Sequence, residues 1–164
     1  MLMWLARAIC AMSLFAVAAG HAQPSPPPAY LTVNGEVSTP LNLSEADFKS
    51  LPRVSVTTTD ATGHQTIYAG VDLGVILQRA GVPLKQDLKG NDVAKYLHVQ
   101  GADGFIAVFA LPEFDQGTFL VADTADNSPL PAGTGPLEVI SPNEMRHSRW
   151  VKQLTLLRIE KSTN

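Results

Sequence analysis

Apolar and polar positions alternate at period two over much of the chain from Tyr30 to Ile159, and only two stretches change to helical spacing. Leu31-Thr32-Val33 alternates and runs into Asn34-Gly35, a hairpin signal, with Leu41 and Leu43 on the return strand. Ser44 stands three residues before Asp47, the spacing of a reciprocal N-cap. It predicts a short helix to about Ser50, stopped by Pro52, with Ala46, Phe48 and Leu51 as its apolar contacts. Arg53–Thr57 and Gln65–Ala69 alternate on either side of a polar turn containing Gly63, and Gly70 reads as a break. Asp72 caps a second helix whose apolar face is Leu73, Val75, Ile76, Leu77 and Ala80, with Gly81 just past its end and Pro83 beyond.

Lys85–Val93 reads as a polar connection. Further strands are expected at Tyr96–Val99 and Phe105–Ala110, around the turn Gly101-Ala102-Asp103-Gly104, and at Phe119–Ala122, Pro136–Ile140 and Leu154–Ile159. Asp123–Gly135 is turn-rich, and the stretch from Ser148 is compatible with a helical turn before the last strand. Many short strands with two helices predict an α+β fold with mixed, mainly antiparallel sheet.

The ends have a different texture. Residues 1–22 carry Arg7 as their single charge, an apolar run from Ala8 to Ala19, and Gly20-His21-Ala22 with small residues flanking the position before a cleavage point. An apolar run of about a dozen residues is short of the roughly 20 that cross a bilayer. The expectation is a cleavable signal peptide at 1–22, a proline-rich spacer at 23–29 (QPSPPPA) and one domain at 30–161, exported to the periplasm with no membrane span after cleavage. Cys10 is the single cysteine. It lies inside the apolar run, so residues 23–164 have no thiol.

Charge and motifs narrow the chemistry. A formal net charge of -3 leaves no basic field for a phosphate backbone, which argues against nucleic acid as a partner. No G-x-S-x-G, H-E-x-x-H or paired-histidine spacing is present. Gly133-Thr134-Gly135 lacks the third glycine and the following helix of a dinucleotide loop. Asp123, Asp126 and Asn127 are too few for a calcium loop and read as a turn.

The densest chemical signal is Arg146-His147-Ser148-Arg149-Trp150-Val151-Lys152. In a helical turn Arg146, Arg149 and Lys152 fan over one side, an arrangement that binds a phosphate or carboxylate. His147 is the histidine best placed to hydrogen-bond a polar ligand. The same residues also read as a basic surface patch paired with Asp and Glu, with Trp150 and Val151 as core anchors.

Taken in order, Leu31–Gly35, Tyr68–Gly81 (YAGVDLGVILQRAG), Ala102–Phe105 (ADGF), Gly135–Pro142 (GPLEVISP) and Arg146–Lys152 resemble the sulfite oxidase-type molybdopterin-binding domain over about Tyr30 to Glu160. The resemblance implies the sulfite oxidase catalytic-domain fold, with molybdopterin as the cofactor and Arg146, Arg149 and Lys152 as cofactor-binding residues. It also implies a cysteine thiolate on molybdenum near the strand that precedes the second helix. Here that stretch is Val54-Ser-Val-Thr-Thr-Thr-Asp60, and a neutral threonine hydroxyl does not replace a soft anionic ligand. The expected function is therefore a non-catalytic module, without catalytic or metal-ligating residues, for a pterin-like or other anionic small molecule or for a periplasmic or membrane redox partner. The alternative is a periplasmic molybdopterin-dependent oxidoreductase with an unusual metal ligand set.

The exported protein should begin at Gln23, or within about two residues of it, because Gly20-His21-Ala22 is followed at once by the proline-rich spacer. The intact mass of protein from the periplasmic fraction checks this. A species retaining residues 1–22 would make the protein membrane-anchored.

Overall fold

The computed structural model describes residues 28–115, 118–141, 144 and 147–162. The expected signal segment and most of the proline-rich spacer lie outside the described residues. Ten strands and two helices follow in the order β1 (Leu31–Gly35), β2 (Leu41–Leu43), α1 (Glu45–Lys49), β3 (Arg53–Thr59), β4 (Gln65–Asp72), α2 (Leu73–Arg79), β5 (Lys95–Gly101), β6 (Ile106–Ala110), β7 (Leu120–Ala125), β8 (Ser128–Pro129), β9 (Glu138–Ile140) and β10 (Leu154–Lys161). One sheet has the order β2-β1-β10-β5-β6. The other runs β3-β4-β7-β8, with β9 beside β8 on the same edge of β7. Only β1 and β10 run parallel; the other pairs are antiparallel. The expected α+β class with mainly antiparallel sheet is the architecture found.

The main core lies between the two sheets and under α2. Leu31, Val33, Leu97, Val99, Leu157 and Ile159 come from the first sheet and Val71, Val121 and Val139 from the second, each at most 1% exposed. Burial at every second residue follows from the alternation of strand side chains between faces. Ser44 and Asp47 form the reciprocal cap of α1: the Asp47 N–H donates to Ser44 Oγ at 3.1 Å and the Ser44 N–H donates to Asp47 Oδ2 at 3.0 Å. Of the expected contacts of α1, Phe48 and Leu51 are buried but Ala46 is exposed. A helix of five residues has too narrow an apolar face to turn Ala46 inward as well.

Gly70 is not a break. β4 continues through it to Asp72, with a register shift against β7 between Ala69 and Gly70. A Cβ built on Gly70 would stand 1.9 Å from the Val121 carbonyl oxygen, so glycine is required because the β7 backbone passes there. The connection between α2 and β5 holds two short 3-10 turns, at Lys85–Asp87 and Gly90–Ala94. The stretch from Ser148 forms a turn rather than a helix, and β10 starts at Leu154.

Candidate functional site

The outer face of the second sheet carries a second, smaller apolar cluster. Leu120, Ala122, Ile140 and Trp150 are buried there against Val54, Val56, Tyr68 and Leu130. Alternation puts Thr58 on this face with Val54 and Val56, and Thr58 is only 7% exposed. The stretch in which the resemblance implies a metal-binding thiolate therefore opens, through Thr58, on the face that Trp150 covers.

Trp150 and Val151 fix the 147–154 segment. Trp150 packs into the outer cluster, edge-on to Tyr68 with ring centroids 5.5 Å apart, and its indole N–H donates to the Ser141 carbonyl at 3.2 Å. Val151 is fully buried in the main core. Backbone bonds from the Val139 N–H to the Val151 carbonyl and from the Leu154 N–H to the Leu137 carbonyl, both 2.9 Å, stitch the segment along β9. His147 lies flat on Trp150, with ring centroids 3.6 Å apart and 9° between planes.

Of the three expected cations, Arg149 and Lys152 are directed to different places. Arg146 lies outside the described residues. Arg149 turns away from the Trp150 face and sits over the Phe109 ring, 4.4 Å from its centroid. Its Nη2 donates to Glu113 Oε2 at 2.9 Å, its Nε donates to Glu144 Oε1 at 2.6 Å, and its Nη1 donates to the Val108 carbonyl at 3.2 Å. Hydrogen bonding to Glu113 holds the Arg149 guanidinium more firmly protonated than an ordinary arginine, with Glu144 adding to it against the opposing effect of burial. Burial works against the charge of Glu113, but hydrogen bonds from Arg149 and the Ala110 N–H outweigh it and keep that carboxyl below its ordinary range. For Arg149, then, the geometry is that of an ion-paired patch.

Lys152 is exposed at a cavity of about 300 Å³ shared with Asp103, Phe105, His147, Ser148 and Trp150. The A-D-G-F and R-H-S-R-W-V-K motifs, some forty positions apart, thus form one wall-to-wall site of a cation, a carboxylate and three rings. Such a pocket suits a flat polar molecule carrying negative charge. The Asp103 carboxylate is held towards its own loop by accepting from the Phe105 N–H at 2.9 Å.

Glu138 escaped the sequence reading. It points to the outer face beside Ala122, its register partner, and is 2% exposed. Burial pushes its carboxyl up from 4.5 to about 7, only partly opposed by the positive charge of Lys152. Its signal was present: a lone carboxylate inside the apolar run Leu137–Ile140. Asp123 is held in the main core side by a two-pronged ion pair with Arg53, and Asp126 accepts from the Ile67 N–H at 2.9 Å in the turn to β8. The turn expected from Asp123 onward begins only at Asp126: Asp123 lies within β7, which pairing with β4 extends to Ala125, and Asp126–Asn127 make the turn to β8. His64 and His98 are not part of the Lys152 cavity.

A mixed α+β domain with a basic and aromatic pocket at the edge of two sheets defines the class, and comparison with known proteins defines the family. The model of the oxidoreductase molybdopterin binding domain matches residues 22–164, and the chain belongs to that family. Among solved structures, the sulfane dehydrogenase SoxCD from Paracoccus pantotrophus is similar at 25% identity and a TM-score of 0.63. That match covers 79% of this chain but 37% of the other, so this chain corresponds to little more than a third of the dehydrogenase chain. The fold is that of the sulfite oxidase-type domain. None of the curated proteins matches.

The described residues offer molybdenum no thiolate ligand. Residues 23–164 contain no cysteine, and among the described residues no group of three His, Cys, Asp or Glu side chains is placed to hold a metal ion. The stretch Val54–Asp60 offers threonine hydroxyls that stay neutral near pH 7.

Glu138 generates a pH test. Its folded pKa of about 7 lies above the ordinary 4.5, so the folded state binds the proton more tightly than the unfolded one. Stability from this group is fully present below about pH 4.5 and is lost as pH rises through 7, by up to about 3 kcal/mol. Glu138→Gln should match the wild type near pH 4 and exceed it near pH 8 when urea midpoints are compared. A constant difference across this range would show that Glu138 does not titrate with a raised pKa.

Proposed function

We propose that this chain is an exported, non-catalytic member of the molybdopterin-binding domain family. It binds a pterin-like or other anionic small molecule, delivered freely or presented by a periplasmic or membrane redox partner. The observation that carries this reading is the pairing of a thiol-free family domain with an intact basic and aromatic pocket: Lys152, His147, Trp150 and Phe105 remain at one cavity, while Cys10 is the only sulfur nucleophile and lies in the apolar leader.

Lys152 supplies the mobile positive charge at the pocket, and the stacked His147 and Trp150 rings supply a flat wall. Arg149 acts one step removed. Its ion pairs with Glu113 and Glu144 tie the 147–152 turn to the β6 end and so hold Trp150 and Lys152 in place. Arg146 is assigned to the same ligand by the family resemblance alone. Localisation in the periplasm rests on the pattern of residues 1–22, and no helix among the described residues is long and apolar enough to cross a membrane.

Titration calorimetry of the mature chain with a pterin phosphate, and separately with inorganic phosphate, tests the reading. A charge-assisted hydrogen bond is worth about 1.5–3 kcal/mol, so Lys152→Ala should weaken pterin phosphate binding by at least about tenfold with the melting temperature unchanged. Absence of binding to the wild type, or binding indifferent to Lys152, would overturn it.

A further inference from the structure

Two aromatic rings meet at the Lys152 cavity, and the protein holds them unequally. The Trp150 indole packs into the outer cluster, with Tyr68 edge-on to it and its N–H donating to the Ser141 carbonyl at 3.2 Å. Trp150 is only 7% exposed, so the indole is fixed. The His147 ring lies flat on it, 3.6 Å between centroids, yet His147 itself is exposed. The Trp150 N–H donates to the His147 carbonyl at 3.3 Å and anchors the backbone of the turn. Rotation about the side-chain bonds of His147 therefore lifts the imidazole off the indole with the backbone in place, and such rotations of exposed side chains are fast.

The stacked pair is also unequal in size. An imidazole is a single ring and an indole is a fused pair, so the imidazole overlaps only part of the surface it lies on. The attraction between stacked rings, and the apolar area they remove from water, grow with overlap. A flat bicyclic heterocycle matches the indole and outcompetes the imidazole on that ground. The cavity, at about 300 Å³, lies at the lower end of what small-molecule sites occupy, and turning the imidazole out enlarges it where the indole stands. Lys152 lines the same cavity and supplies a positive charge for an anionic substituent on such a ring. The imidazole, being polar, loses little when it turns into water.

We propose that the Trp150 indole is the stacking platform of this cavity and that His147 is its placeholder. The flat bicyclic part of an anionic ligand takes the position of the imidazole on the indole, and the anionic group of the ligand meets Lys152. This rests on the reading of the Lys152 cavity as a ligand site; it goes further in naming the ring that is displaced and the ring system that replaces it. Until the ligand arrives, the imidazole keeps water off the indole surface. The affinity of the site is then set by a competition between two rings for one surface, and the exposed ring of the pair is the one that yields.

Proton NMR and titration calorimetry of the mature chain with a pterin phosphate test the proposal, with inorganic phosphate as the probe that has the charge but no ring. In the wild type, which needs no substitution for this readout, adding pterin phosphate should move the His147 ring protons downfield as they leave the indole ring current. His147→Ala should bind pterin phosphate at least about threefold more tightly than the wild type. His147→Phe, whose larger apolar ring holds the same place, should bind it at least about threefold more weakly. Inorganic phosphate should bind all three proteins alike. Pterin phosphate binding that weakens in His147→Ala, with the His147 protons of the wild type moving further upfield, would place the ligand on the imidazole itself and overturn this proposal while the cavity remains a ligand site. Absence of pterin phosphate binding to both the wild type and His147→Ala would overturn the ligand reading and this proposal together.

Discussion

The placement of Trp150 and Val151 on opposite sides of one extended segment is the constraint on which the site depends. Val151 is held by the main core and Trp150 by the outer cluster, so the backbone between them has one available path along β9. Burying a side chain of each size contributes about 1.5–3 kcal/mol, several times the worth of an exposed ion pair. That path carries His147 onto the indole face, presents Lys152 to the A-D-G-F turn and sends Arg149 towards Glu113 and Glu144. The chemistry of the pocket is therefore a by-product of where two hydrophobic side chains go.

The same geometry divides the basic motif by role. An arginine between two carboxylates and over the Phe109 ring has its fork filled by them. A lysine that remains exposed at a cavity keeps its charge available. Glu138, buried on the outer face of the second sheet and close enough to feel Lys152, has its carboxyl pushed up to about 7 by burial.

Much of the fold was legible because strands alternate at period two and helix caps have fixed spacing. Ser44 with Asp47 and Asp72 with Gly81 marked both helices. Gly70 misled because glycine reads locally as a break, whereas its reason is the close passage of Val121 in a strand fifty residues away. The 147–152 turn was compatible with helix by composition; tertiary burial of Trp150 and Val151 on opposite sides rules out a single buried helical face. Of the site, Lys152 was legible as a cation beside aromatics, and Trp150 and Val151 as anchors. The partners of Arg149 were not, since Glu113 lies thirty-six positions away and only the fold brings it in. Glu138 was visible as a charge within an apolar strand, but its burial depends on the covering of the outer face.

The central proposal is that this family member binds an anionic ligand at the Lys152 cavity without holding molybdenum. The most direct measurement is the molybdenum content of protein purified from its native source, by elemental analysis against protein concentration. The account predicts far less than one molybdenum per chain and no oxo-transfer turnover. Stoichiometric molybdenum with turnover would contradict it and show that the domain holds the metal without sulfur from the protein.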